Sequence, residues 1–110
     1  MKPQSPVISE RVFDIRTSTR SGNIIVRIYA PVVDEKPTIH ERWVTVLEEY
    51  DSEVDGSTFD RTYGEDSFQA LYLGVLTFQS RLRILKLRFG NGVTYKGETA
   101  LDDGIELTLR

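Results

Sequence analysis

Hydrophobic and polar positions alternate with two different periods along this chain, which separates a β-rich first half from a helical second half. Residues 10–18, 24–33 and 41–50 alternate with the period of two that is typical of strands. Glycine and asparagine between the first two runs favour a short hairpin connection. Three consecutive strands of this kind predict an antiparallel meander.

Residues 63–89 show the period of an α-helix. Asp66 is the predicted N-cap, and the side chain of Gln69 can reach back to it as in a capping box. The run Gly90-Asn91-Gly92 predicts that the helix ends near Phe89. Residues 85–89 also alternate, so a hairpin with residues 93–96 is an open alternative there. The expected core face of the helix consists of Phe68, Leu71, Tyr72, Val75, Phe78, Leu82 and Leu85.

A second apolar stripe lies roughly opposite the first on this helix. It consists of Leu73, Leu76, Ile84 and Leu87, with Ser80 among them, while Ala70, Gly74 and Thr77 lie between the two stripes. A single sheet buries only one helix face, so the second stripe needs cover from another protomer or from residues 93–109. We expect a homodimer interface in which small residues let the second backbone approach, formed by Ala70, Leu73, Gly74, Leu76, Ile84 and Leu87.

The predicted fold class is α+β: a three-stranded antiparallel meander followed by one long helix packed on it, with a short β-rich C-terminal segment. One domain is expected over residues 7–110, after a flexible lead-in at residues 1–6. Alternation in residues 105–109 places a further strand near the end of the chain. The strand phase predicts that Phe13, Ile15, Ile24, Val26 and Ile28 face Leu71, Val75 and Phe78.

Residues 48–66 are the most polar stretch, with eight of the seventeen acidic residues and a single basic residue, Arg61. Within it, Asp51-Ser52-Glu53-Val54-Asp55-Gly56 is similar to the start of an EF-hand calcium loop. The twelfth loop position, where a bidentate Glu is needed, is Thr62. We therefore expect a solvated acidic loop that binds no calcium.

Composition narrows the functional classes. The chain has no cysteine, which excludes disulfides and thiolate metal sites, and no apolar run of signal-peptide or membrane-span length. A cytoplasmic location without a membrane partner is therefore expected. The net charge of −3 does not indicate a nucleic-acid partner. The helix macrodipole accounts for the one basic cluster, which is formed by Arg81, Arg83, Lys86 and Arg88.

Residues 63–71 carry a resemblance. Tyr63-Gly64-Glu65-Asp66-Ser67-Phe68-Gln69-Ala70-Leu71 resembles the Gly-x-Asp-Ser-x-Gln-Ala-Leu helix of small bacterial proteins of unknown function. The likeness in layout extends over residues 12–89 and implies a sheet followed by one long helix, without an activity. Some small proteins of this layout resemble immunity proteins of bacterial toxin systems, which implies a protein partner.

Motifs for catalysis are missing from the sequence. His40 is the only histidine, and no nucleophile elbow, zinc-binding histidine pair or phosphate-binding glycine loop is present. Adjacent acids such as Glu48 and Glu49, or Asp102 and Asp103, are usually hydrated when they lie in loops. We therefore expect a protein-binding or assembly module that is not an enzyme and that has no catalytic residues, metal or cofactor. The alternative is an enzyme or a small-ligand-binding domain with an unrecognised pocket.

Overall fold

A computed structural model describes residues 3–34 and 42–95 of the chain. The α+β class is confirmed within these ranges, which contain one long helix and a single antiparallel sheet. His40, the segment at residues 105–109 and the acids Asp102 and Asp103 lie outside the described residues. The elements in chain order are β1 (Val7–Arg16), β2 (Ser21–Tyr29), β3 (Val32–Val33), β4 (Trp43–Asp51), β5 (Gly56–Gly64), α1 (Ser67–Phe89) and β6 (Val93–Tyr95).

The sheet has six strands in the described part of the chain, more than the predicted three-stranded meander. β1, β2 and β4 form the expected meander, since β2 pairs with β1 on one edge and with β4 on the other. β4 pairs with β5 along its whole length, while the two-residue β3 pairs with the start of β4. The short β6 pairs with β1, which extends the sheet beyond the meander.

The expected acidic loop at residues 48–66 is wrong, because most of this stretch is the β4–β5 hairpin. β5 contains Thr58, Phe59, Thr62 and Tyr63, which are β-branched or aromatic residues that favour strands. Polar residues lie between them, and a prediction based on charge alone therefore missed this strand propensity. Only residues 52–55 form the turn, where Asp55 adopts a positive φ of 51°.

The core lies between the sheet and α1, in the predicted strand phase. Leu71 and Val75 are partly buried against this core. Its buried members are Phe13, Ile15, Ile24, Val26, Ile28, Leu47, Phe78, Leu82, Leu85 and Val93. The period of two in the strands therefore selected the facing side chains correctly, and the period of 3.6 in the helix did so for Leu71, Val75, Phe78, Leu82 and Leu85.

Both ends of α1 lie where the sequence predicts them. The carboxylate of Asp66 accepts a hydrogen bond from the backbone N–H of Gln69 at 2.8 Å, so Asp66 is the N-cap. The side chain of Gln69 instead accepts from the backbone N–H of Glu65 at 2.7 Å, one residue earlier than predicted. The helix continues to Phe89, which rules out the hairpin alternative, and Gly90 ends it with a φ of +54°.

Candidate functional site

The outer face of α1, turned away from the sheet, carries a row of large apolar side chains. Leu76, Ile84 and Leu87 of the predicted interface lie in this row, with exposed fractions of 38%, 48% and 85%. Leu73 is half-buried beside them. Three of the predicted interface residues are therefore accessible to a partner, and a fourth lies at the edge of the accessible surface.

Phe68 and Tyr72 also lie on the outer face, although we expected them in the core. Phe68 is 78% exposed and Tyr72 is 52% exposed. We use the term outer row for the five residues Phe68, Tyr72, Leu76, Ile84 and Leu87. Successive members from Phe68 to Leu76 are four residues apart, which places them on neighbouring turns of one helix face.

Ala70 and Gly74 of the predicted interface lie against the sheet and cannot belong to the exposed face. A Cβ atom added to Gly74 would lie 2.8 Å from Cγ2 of Thr45 on β4. A Cβ atom added to Gly64 would meet the backbone N of Ala70 at 2.4 Å, so α1 also packs closely on the end of β5. The close approach that small residues permit is therefore between α1 and its own sheet. Ala70 and Gly74 thus occupy the inner side of the first helical turns, whereas Phe68 and Tyr72 are exposed.

The face of the sheet opposite α1 holds a fully buried carboxylate, that of Glu48 on β4. Its Oε1 accepts from the hydroxyl of Tyr29 at 2.5 Å and from Nη1 of Arg27 at 3.4 Å. Its Oε2 accepts from the hydroxyl of Ser57 at 2.5 Å. Burying a carboxylate is costly unless such donors satisfy it, so these three residues hold the Glu48 side chain in place.

Strand register brings these groups together from three strands. Arg27 of β2 lies directly opposite Glu48, and on its other side Glu48 faces Phe59 of β5. Arg27 also donates through Nε to Oε2 of Glu10 on β1, at 2.6 Å. Tyr29 packs beside Glu48 in a small apolar cluster with Val44 and Val46, and Phe59 contacts the cluster. A carboxylate within an apolar cluster is a common sign of a functional site.

Burial and the Glu48 carboxylate together shift the ionisation of Tyr29. Removal of the phenol from water disfavours the phenolate, and the hydrogen bond to Glu48 disfavours it further. The two effects raise the pKa of Tyr29 from 10.0 to about 12. Tyr29 therefore remains a hydrogen-bond donor to Glu48 throughout the physiological pH range.

A pocket of about 420 Å³ opens beside Glu48 on this face of the sheet. Among the described residues it is lined by Arg27, Glu48, Tyr50, Asp55, Gly56 and Ser57. At its rim, the hydroxyl of Tyr50 donates to Oδ1 of Asp55 at 2.6 Å. The predicted strand alternation placed Val44, Val46, Glu48 and Tyr50 on one side. An acid on this largely apolar side was the one available signal for the site.

The basic cluster at the end of α1 contributes to the packing of the helix on the sheet. Nη1 of Arg81 donates to Oε1 of Glu49 at 3.0 Å, and its Nε donates to Oδ2 of Asp60 at 2.9 Å. Arg88 lies 3.8 Å from the other oxygen of Glu49. Two of the four basic residues therefore pair with acids of β4 and β5, a role that the macrodipole argument did not include.

The acids of the run that is similar to a calcium loop are paired with other side chains: Asp51 and Glu53 share Arg20, and Asp55 pairs with Tyr50. Asp51 accepts from Nη2 of Arg20 at 2.5 Å, whereas Asp55 accepts from Tyr50. Within residues 3–34 and 42–95, no group of three or more His, Asp or Glu side chains is placed to hold a metal ion. In the same ranges, α1 is too polar to cross a membrane.

Comparison of the chain with protein-family models, with curated proteins and with solved structures finds no match. The resemblance of residues 63–71 to small bacterial proteins therefore stays a prediction. The outer row on α1 and the pocket beside Glu48 are the candidate functional surfaces.

Proposed function

We propose that this protein is a non-catalytic assembly module that binds protein through the outer row of α1, and that the partner is a second copy of the chain. The observation that carries the proposal is the outer row itself, five large exposed apolar side chains along the outer side of α1. Contiguous exposed apolar surface of this kind usually marks an interaction site. From Phe68 to Leu87 the row is roughly 28 Å long.

Apolar burial supplies the driving force for association. Full burial of a large apolar side chain contributes about 1.5–3 kcal/mol, so partial cover of five such residues on each protomer favours a dimer. Ser80 lies between Leu76 and Ile84 near the middle of the row, and its small side chain allows two helices to cross closely there. In this proposal Ser80, rather than the predicted Gly74, is the small residue that lets the partner helix approach closely.

Charge at the two ends of α1 favours an antiparallel arrangement of two copies. Exposed Glu65 and Asp66 lie at the N-terminal end, and exposed Arg83, Lys86 and Arg88 lie at the C-terminal end. A two-fold axis through the middle of the row places the acidic end of each helix beside the basic end of its partner. The two helix macrodipoles then oppose each other favourably as well.

Light scattering and analytical ultracentrifugation test the proposal. We expect a wild-type dimer, and a folded monomer for Leu76→Glu and Ile84→Glu, because each places a charge in the buried interface. Leu87→Glu provides a third variant whose parent side chain is almost fully exposed, so its folding does not depend on that residue. Circular dichroism establishes that each variant is folded.

Val54→Glu is the matched control. Val54 is exposed on the β4–β5 turn and does not belong to the outer row, so the same change of charge there should leave the dimer intact. A wild-type protein that remains monomeric at high concentration would contradict self-association. Dimers that survive all three substitutions in the outer row would show that a different surface is used.

A further inference from the structure

The pocket beside Glu48 is separate from the outer row, because it lies on the opposite face of the sheet from α1. Its volume of about 420 Å³ is within the range of small-ligand sites in proteins. Three strands contribute to it: β2 through Arg27, β4 through Glu48 and Tyr50, and β5 through Gly56 and Ser57. A site built on paired strands holds its polar groups in fixed positions.

The side chain of Glu48 makes several hydrogen bonds, which a residue with only a packing role does not need. The carboxylate is fully buried, and hydroxyls and a guanidinium from two neighbouring strands fix its orientation. An apolar side chain of similar volume would avoid the cost of burying this charge, and such replacements are often neutral or stabilising in other proteins. A buried carboxyl group that several donors hold in place beside a pocket therefore makes this pocket a candidate ligand site.

The charges around the pocket select the class of ligand. Among the described residues, the carboxylates that line or adjoin it are those of Glu10, Glu48 and Asp55, and the guanidinium there is that of Arg27. Arg27 is already paired with both Glu10 and Glu48, and its pKa is raised by these partners. An anion entering the pocket would therefore meet excess negative charge, whereas a cation would be attracted.

We propose that this pocket binds a small organic cation through a guanidinium or ammonium group. Asp55 at the exposed rim supplies the accepting carboxylate, and the ring of Tyr50 beside it supplies an aromatic surface that favours a cation. Ser57 and Glu48 lie at the inner wall, where the fully buried Glu48 side chain acts on a ligand through its hydrogen bond to Ser57 rather than by direct contact. The ligand is either a free small molecule or the arginine or lysine side chain of a peptide, since both present the same group.

Titrations followed by amide NMR test the proposal, because they detect weak binding and locate it. The probes are butylguanidine, its neutral analogue butylurea, the anion pentanoate and the capped tripeptide Gly-Arg-Gly. We expect saturable shifts of the Gly56 and Ser57 amides with butylguanidine, and binding by butylurea and pentanoate that is at least roughly tenfold weaker. Tighter binding of the tripeptide would identify a peptide ligand, and tighter binding of butylguanidine a free one.

Asp55→Asn is the decisive variant, since asparagine keeps the shape of the side chain and tolerates the positive φ of this turn position. We expect it to weaken butylguanidine binding roughly tenfold. Glu53→Gln, on the same turn but outside the pocket lining, changes the net charge equally and should leave the affinity unchanged. Glu48→Gln should weaken binding as well and serves as a second variant.

Three results would overturn the proposal. They are the absence of saturable shifts with butylguanidine, equal affinity for butylguanidine and butylurea, and an equal loss of affinity in Asp55→Asn and Glu53→Gln. The last result would mean that the cation responds to overall charge rather than to the pocket. None of these outcomes depends on the state of association through the outer row.

Discussion

Gly74 of α1 lies directly over Thr45 of β4, so close that an added Cβ atom would lie 2.8 Å from Cγ2 of the threonine. Real Cβ atoms do not approach other carbon atoms this closely. The helix and the sheet therefore meet at a point where only glycine fits without a shift of the surrounding structure.

This contact predicts that Gly74→Ala destabilises the protein. Alanine favours the helix by about 1 kcal/mol over glycine, but overpacking costs about 1–3 kcal/mol, so we expect a net loss of roughly 1 kcal/mol in the free energy of unfolding. Urea denaturation measures this loss. In a Thr45→Ser background, which lacks Cγ2, the cost should shrink or reverse, and an equal cost in both backgrounds would show that the contact is unimportant.

Asp66→Ala should destabilise the protein through loss of the N-cap. Its carboxylate accepts from the N–H of Gln69, and removal of such a cap typically costs about 1 kcal/mol. Glu65→Ala is the control, because it removes an equal charge near the same helix end while its backbone N–H can still donate to Gln69. We expect a smaller loss for Glu65→Ala in thermal and urea denaturation. Equal losses would assign the effect to charge alone.

Asp51 should stabilise the protein at neutral pH, and this contribution to the free energy of unfolding should be lost in acid. Burial alone would raise the pKa of this carboxyl, but hydrogen bonds from Arg20 and from the backbone N–H of Glu53 outweigh burial and lower it below 3.8. The unfolded chain then binds the proton more tightly than the folded protein does. The contribution of Asp51 is therefore fully present above about pH 4 and is lost as the pH falls through the lowered folded-state pKa.

Comparison of the wild type with Asp51→Asn isolates this effect, because all other acids are common to both proteins. The wild type should be more stable than the variant at pH 7, and the difference should narrow steadily as the pH falls below 4. Urea denaturation at a series of pH values provides the measurement. A difference in the free energy of unfolding that stays constant down to pH 2 would mean that the Arg20 contact does not lower the pKa of Asp51.

Local patterns in the sequence determined the ends of α1 and the phase of β1, β2 and β4. The cap at Asp66 and the stop at Gly90 depend on residues within one helical turn, so they are visible in the sequence. The faces of the strands follow from strict alternation, and Ile24 and Val26 are buried where alternation placed them. These features needed no information about distant parts of the chain.

Three features depend on tertiary contacts: the pairing of β5 with β4, the position of α1 on the sheet and the environment of Glu48. Asp60 is tolerated in β5 because Arg81, twenty-one positions later, pairs with it. Phe68 is exposed because the rotation of α1 about its axis turns Ala70 and Gly74 toward the sheet in the first helical turns. The burial of Glu48 is tolerated because the two neighbouring strands, β2 and β5, bring donors to it. Each outcome depends on contacts between distant residues, which no local period of apolar and polar positions records.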